Sequence, residues 1–229
     1  MAGFVTLDRD ELLSAQLKVV GVGGGGCNAI ESMMAKGLKG VEYVAINTDA
    51  QVLQLSRAHH KIQIGTNITR GLGAGADPNV GRKALEEDRE KLTKVLEGSD
   101  MVFVTAGMGG GTGTGGAPII ASIAKSVGAL VIGIVTKPFK WEGKKRMLNA
   151  DEGIHDLKRN VDSLIVIPND RLLNILDRTV SARTAFDKPN EVLYEATRGI
   201  ADIITIPGII NVDFADVRSV MNSSGEALM

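Results

Sequence analysis

The chain has a single cysteine, Cys27, among 229 residues, which excludes an internal disulfide framework. Aromatic residues make up only 3% and the formal net charge is −1. It therefore lacks both the stacking platforms and the basic surface that nucleic acid or an anionic membrane would require. Its three histidines, the adjacent His59 and His60 and the distant His155, do not have zinc-site spacing; the adjacent pair is expected to face solvent. The apolar runs, of which Ala129–Val135 is among the longest, are far too short to span a bilayer, and Met1–Glu11 lacks the basic start and apolar centre of a leader. A cytoplasmic protein without membrane insertion is the expectation. Neither Gly-Lys-Ser nor Gly-Lys-Thr occurs, so a Walker phosphate loop is excluded. Internal repeats and flexible interdomain linkers are missing as well.

Glycine is what the chain has in quantity, and it is clustered. Seven of the ten residues from Gly107 to Gly116 are glycine. Without side chains such a loop lets the backbone approach an anion, with amides pointing inward and the positive end of a following helix behind them. Thr112 and Thr114 add hydroxyl donors, and a bulky residue at Gly111 is expected to occupy the phosphate's space. The preceding Met101–Ala106 reads as a buried parallel strand, and Pro118 suits the first turn of a helix carrying Ile119, Ile120 and Ile123. A second cluster, Gly21–Gly26, follows Leu17–Val20 and leads into a helix-like run from Cys27 to Lys36. Alone it fits the G-x-G-x-x-G of a dinucleotide site, with Asp49 placed late for a ribose carboxylate. Cys27 at that helix start is either an activated thiol or a small residue packed in a tight loop; no chemistry is assigned to it. A third stretch, Gly71–Pro78, follows an apolar Lys61–Ile64 and precedes a long helix.

Strands are expected near Leu17–Val22, Val41–Asn47, Lys61–Ile64, Met101–Ala106, Ala129–Val135 and Ser163–Ile167, with helical patterns between them. This predicts an α/β fold, a doubly wound, mainly parallel sheet with helices on both faces, followed by a long core helix. A helix from about Asn79 to Glu97 carries Glu87/Lys91 and Glu90/Lys94 at i,i+4 spacing, as a solvated face would. In such a sheet the loops after the strands open at one edge, so three glycine loops can surround one polyphosphate. An NAD-dependent dehydrogenase would use the first loop and leave two unexplained. The Asn-Lys-x-Asp motif by which Ras-like GTPases read the base is missing.

Other segments can meet the rest of a nucleotide. The basic loop Thr136–Arg146 holds Glu142, which could accept from ribose hydroxyls, and Arg146, which could reach sugar or phosphate; a solvated charge run is the alternative. Asn169 ends the sixth strand, where its amide could read a purine or simply make a turn. Asn190 is a credible N-cap for the patterned helix holding Val192, Leu193, Ala196, Ile200, Ile203 and Ile204. Phe186 at its entrance either stacks on a base or forms a hydrophobic staple. Asp213 and Asp216, three apart, either orient water or hydrated Mg²⁺ for phosphoryl transfer or serve as N-cap and first-turn acid. A helix from Asn190 to Thr205 is about 24 Å long, so if Asn190 faces the nucleotide, Asp213 reaches only one bound to a neighbouring copy. A repeated head-to-tail contact of that kind builds an open filament unless its rotation closes a ring.

These residues resemble the FtsZ family, the tubulin-like GTPases of bacterial cell division, over nearly the whole chain. The match rests on Gly21–Ala29, Asn47–Gln51, Gly71–Ala76, Ile167–Asp170, Asn211–Val217 and the tubulin motif Gly109–Gly115. The resemblance implies GTP or GDP, with Mg²⁺, phosphates being held by Gly24, Gly25, Ala74, Gly75, Gly107, Met108, Gly109, Gly110, Gly111, Thr112 and Gly113. It implies ribose at Glu142 and Arg146, guanine at Asn28, Asn169, Phe186 and Asn190, and Asn211, Asp213 and Asp216 completing the active site of the next subunit. Family members polymerise head-to-tail at the division site, and hydrolysis favours disassembly. By the same comparison, 1–16 is an N-terminal extension, 17–186 the GTP-binding domain, 187–206 the core helix, and 207–229 the catalytic loop and start of a second domain. Division regulators and membrane anchors are then expected through parts beyond this sequence. A nucleotide-binding structural or regulatory module with little turnover is the alternative function.

Overall fold

The computed structural model describes residues 15–173, 181–206, 213–222 and 225–228. Its first half runs β1 (Leu17–Val22), α1 (Gly23–Ala35), β2 (Glu42–Asn47), α2 (Ala50–Leu55), β3 (His60–Gln63), α3 (Thr66–Thr69), α4 (Pro78–Glu87), α5 (Arg89–Leu96) and β4 (Met101–Gly107). Then come α6 (Thr112–Ser126), β5 (Leu130–Lys137), a 3-10 turn (Lys140–Glu142), α7 (Lys144–Lys158), β6 (Ser163–Pro168), α8 (Asn169–Leu173), α9 (Ala182–Thr205), α10 (Phe214–Met221) and β7 (Gly225–Leu228). The strands form one sheet in the order β3-β2-β1-β4-β5-β6-β7, with every pairing parallel. The order reverses between β1 and β4, the place where a crevice opens in doubly wound sheets.

Alternation along the strands divides the core into two layers. Val20, Val22, Val102, Val104, Val131 and Val135 face the layer completed by Leu85, Leu92, Ile120, Ile123 and Leu157 from α4 to α7. Val19, Phe103, Ile132 and Ile134 face the other, completed by Ile30, Met33, Leu193, Tyr194 and Val217 from α1, α9 and α10. Each such aliphatic or aromatic side chain contributes about 1.5–3 kcal/mol by leaving water, which is why both helical layers hold to the sheet.

The six expected strands are present, and tertiary packing moves the helix boundaries. Helix α1 starts at Gly23, not Cys27, and α6 starts at Thr112, which puts Pro118 inside the helix instead of in its first turn. Some glycines of poor helix propensity are kept there because neighbouring backbone leaves no room for Cβ. A Cβ on Gly26 would lie 2.5 Å from the Thr105 carbonyl oxygen, and one on Gly115 would lie 2.0 Å from that of Pro78. The expected helix from Asn79 to Glu97 is two helices, broken at Asp88, whose carboxylate turns aside to accept the Gly65 N–H at 2.9 Å. Glu87 consequently receives Asn67, while Lys91 turns to Asp88 and the Gln63 carbonyl.

Asn190 is not an N-cap. The cap of α9 is Ser181, whose hydroxyl accepts the Thr184 N–H at 3.2 Å, and the helix continues through Pro189 with Phe186 and Asn190 in its interior. Strand β7, not expected from the sequence, pairs with β6. His59 is exposed and accepts the Tyr43 N–H, and His60 pairs with Glu42 at 2.6 Å.

Candidate functional site

A cavity of about 1210 Å³ opens at the carboxyl edge of the sheet, and residues from all three glycine clusters line it. Parallel pairing puts every strand's C-terminal loop on that edge. Gly24 and Gly25 come from the start of α1, Ala74 from the loop before α4, and Gly107, Met108, Gly110, Gly111, Thr112 and Gly113 from the turn between β4 and α6. Gly75 and Gly109 are not on the lining. Gly109 has φ +106°, its N–H donates to Thr114 Oγ1 at 2.8 Å, and a Cβ there would lie 2.8 Å from the Arg146 carbonyl oxygen. Thr114 is thus an internal brace of the loop, contrary to its expected role as a donor to the ligand.

This end of the cavity is built for an anion. Both α1 and α6 begin there with N-caps, Val22 and Gly111, that offer no side-chain acceptor, and neither has an acidic residue in its first turn. Two helix ends with unsatisfied amides therefore converge where negative charge is favoured. A Cβ on Gly24 or Gly110 would meet no atom within 4 Å, so these two open directly onto space. Gly111 does not, contrary to the expectation that a side chain there would fill the phosphate's place. Its Cβ would lie 2.7 Å from Ala74 Cβ and 3.0 Å from Asp77 N and O, against the third glycine loop.

The other end of the cavity suits a sugar and a planar base. Glu142 and Arg146 line it and pair with each other at 2.6 Å, and Glu142 also accepts the Phe139 N–H at 2.9 Å. The carboxylate is held in place with lone pairs left over for hydroxyl donors. Asn28, Asn169, Phe186 and Asn190 are all on the lining. Asn169 Oδ1 is buried without a hydrogen-bond partner, an acceptor that a donor group in the cavity would satisfy. Phe186, 46% exposed, sits edge-on to Phe139 and Trp141, whose rings stack at 5.1 Å. Its ring is thereby braced from behind.

Asp213 and Asp216 lie at the opposite edge of the sheet. Helix α10 is fixed there by Arg218 donating to the Gly128 carbonyl, just before β5, and by Ser163 at the start of β6 donating to Met221. Asp213 caps α10 through the Asp216 N–H at 2.8 Å, while the Asp216 carboxylate has no partner among the described residues. Asn211 lies outside the described residues. Helix α9, about 36 Å long over its 24 residues, separates these carboxylates from the cavity that its first half lines.

Several lining residues escaped the site assignment. Thr48 and Asp49 follow the end of β2 and Thr136 is near the carboxyl end of β5, and the rule that the carboxyl ends of the strands share one edge could have found Thr48 and Thr136 as it found the glycines. Asp49 lines the cavity while its carboxylate caps α2. Lys36, Lys188 and Glu191 also line it. Glu191 bonds Lys188 at 2.6 Å and Lys36 at 3.1 Å, which holds its carboxyl below the usual range and ties α9 to α1. No local pattern announces a contact across 155 positions. Glu31, on the same wall, is pushed up by burial but more strongly down by Arg57 and Ser56 donors, leaving it below the usual range. Burial raises the Cys27 thiol to about 12, which leaves it a packing residue.

Comparison with known proteins agrees with this geometry. A family model described as Tubulin/FtsZ family, GTPase domain, matches residues 16–177. The chain is 59% identical over 216 residues to the cell division protein FtsZ of Coxiella burnetii, covering 94% of this chain and 56% of that protein. It is 58% identical, with the same coverage, to the FtsZ of Buchnera aphidicola subsp. Schizaphis graminum. The solved empty FtsZ dimer of M. jannaschii superposes with a TM-score of 0.90 at 48% identity, over 94% of this chain and 63% of that one. A GTPgS-bound protofilament of CetZ2 from Haloferax volcanii gives 0.79 at 25% identity, over 93% and 64%. The chain thus spans a little over half the length of the curated relatives it matches. Identity of this extent, on a backbone that superposes so closely, means that the chain belongs to the tubulin/FtsZ family.

Proposed function

We propose that the cavity binds GTP and GDP and that the chain hydrolyses GTP when copies associate head to tail, in a cell-division role at a cytoplasmic division site. The observation carrying this reading is spatial. Uncapped ends of α1 and α6 converge on one cavity, while the Asp213 and Asp216 carboxylates sit at the opposite sheet edge. In this reading phosphates occupy the amide end, against Gly24, Gly25, Gly107, Met108, Gly110, Thr112 and Gly113, with Ala74 and the Gly75 and Gly109 turns behind them. Glu142 and Arg146 meet the ribose. Asn28, Asn169 and Asn190 exchange hydrogen bonds with guanine as Phe186 covers its face.

The fit to a nucleotide rests on the open space before Gly24 and Gly110 and on the orphaned Asn169 Oδ1. Among the described residues no group of three His, Cys, Asp or Glu side chains could hold a metal. Mg²⁺ would therefore be held chiefly by phosphate oxygens and water, supplying charge neutralisation there. Asn211, Asp213 and Asp216 of one copy would orient the attacking water above the nucleotide of the next. The related structures, an FtsZ dimer and a CetZ2 protofilament, support self-association as the mode of assembly.

Phosphate release per molecule, measured against protein concentration with GTP in excess, tests the reading. A steep rise is expected. Turnover independent of concentration would contradict a shared active site, and nucleotide binding without release at any concentration would favour a binding module over an enzyme.

A further inference from the structure

Thr48 and Thr112 form an isolated pair of buried hydroxyls on the cavity wall. Their Oγ1 atoms are 2.7 Å apart, and the residues are 0% and 7% exposed. Thr112 is the first residue of α6, next to the uncapped Gly111, and is hemmed in on one side by Gly23, where a Cβ would approach its own Cβ to 3.3 Å. Thr48 belongs to the turn after β2, which is tied to the third glycine loop. The Ala50 N–H donates to the Gly71 carbonyl, Thr69 Oγ1 to the Thr48 carbonyl, and Asp49 bridges Leu72. The pair thus joins two phosphate-facing segments through a single hydrogen bond.

Each hydroxyl has one proton, so only one can donate to the other. If Thr112 donates to Thr48, its oxygen alone faces the cavity and repels an anion. If Thr48 donates to Thr112, the Thr112 proton is free to point inward. An acceptor-only ligand selects the second arrangement, and the chained bonds polarise one another. We propose that Thr48 is a positioning residue whose hydroxyl donates to Thr112 Oγ1 and thereby turns the Thr112 proton onto a phosphate oxygen of the bound nucleotide. The proposal rests on reading the cavity as a guanine-nucleotide site.

Calorimetric titration of GDP into the whole chain and its variants tests it. Thr48→Val keeps the shape and removes the donor; GDP affinity falls about tenfold, the effect of weakening one hydrogen bond to a charged group. Thr48→Ser restores the donor and the affinity. In a Thr112→Val background, Thr48→Val causes no further loss beyond about twofold, because the residue acts only through Thr112. Thr48→Ala carries the same expectations if Thr48→Val fails to fold. Unchanged affinity in Thr48→Val, failure of serine to rescue, or an equal loss in both backgrounds overturns the proposal. If the unaltered chain binds no GDP, the reading of the cavity itself fails, and this inference with it.

Discussion

Gly110 and Gly111 are neighbours that are glycine for different reasons. Gly110 borders empty space, so Gly110→Val should change folding stability by no more than about 0.5 kcal/mol while putting a side chain where the phosphate belongs. Gly111 abuts Ala74 and Asp77, and Gly111→Val should destabilise by roughly 2–3 kcal/mol through overpacking. Thermal melts paired with GDP titration distinguish the two; equal melting points would contradict the packing described. The two aspartates divide in a similar way. Asp213 caps α10, so Asp213→Ala should lose about 1 kcal/mol of stability as well as turnover. Asp216→Ala should lose turnover with GTP affinity intact and only about 0.5 kcal/mol of stability from the helix dipole. Loss of nucleotide affinity in Asp216→Ala would show that the carboxylate supports the fold instead.

Elements are joined by small residues and by carboxylates. Where α4 crosses α6, the only space for Gly115 is that left by a backbone carbonyl that cannot rotate away, so Gly115→Ala should cost about 3 kcal/mol in urea unfolding. Asp156 of α7 bonds Arg82 of α4 at 2.7 Å and also bonds Arg159, Glu31 joins α1 to the turn after α2, and Glu191 joins α9 to α1. For Asp156 and Glu31 burial raises the pKa and the donors overcompensate; for Glu191 the lysine bonds dominate. All three carboxyls titrate lower folded than unfolded. Their stabilisation is complete above the unfolded values of 4.5 for Glu and 3.8 for Asp, and is lost as pH falls through the depressed folded values. The urea midpoint should hold steady down to about pH 5 and then drop, with Asp156→Asn showing a shallower decline; an acid-insensitive midpoint would contradict the pairing.

At the scale of the whole molecule, cavity and carboxylates occupy opposite poles, so the predicted chemistry belongs to a junction between copies. Gly110→Val subunits, impaired in binding, still carry Asp216, and Asp216→Ala subunits still carry a cavity. Each alone should be inactive, and their mixture should recover part of the phosphate release, since some junctions pair an intact cavity with an intact carboxylate. A mixture as inactive as its components would argue against sharing. Among the described residues no helix is long and apolar enough to cross a membrane.

The six strands, the two-sided helical cover and the glycine loops were legible in the sequence because alternation and clustered glycine are local signals with a period. Resemblance to a family added Asn28, Asn169 and Asn190 as expected readers of a base, roles that spacing alone left open, and all three line the cavity. Helix boundaries were read wrongly at Gly23, Thr112 and Ser181, since propensity counts glycine and proline against a helix while close packing of α1 and α6 glycines on Thr105 and Pro78, and the Ser181 cap of α9, decide otherwise. Sequence by itself determined which chemical groups exist and that they follow strands. Only the tertiary structure decided which glycine faces open space, which threonine braces the loop and which carboxylate remains unpaired, because those properties depend on atoms brought close from distant parts of the chain.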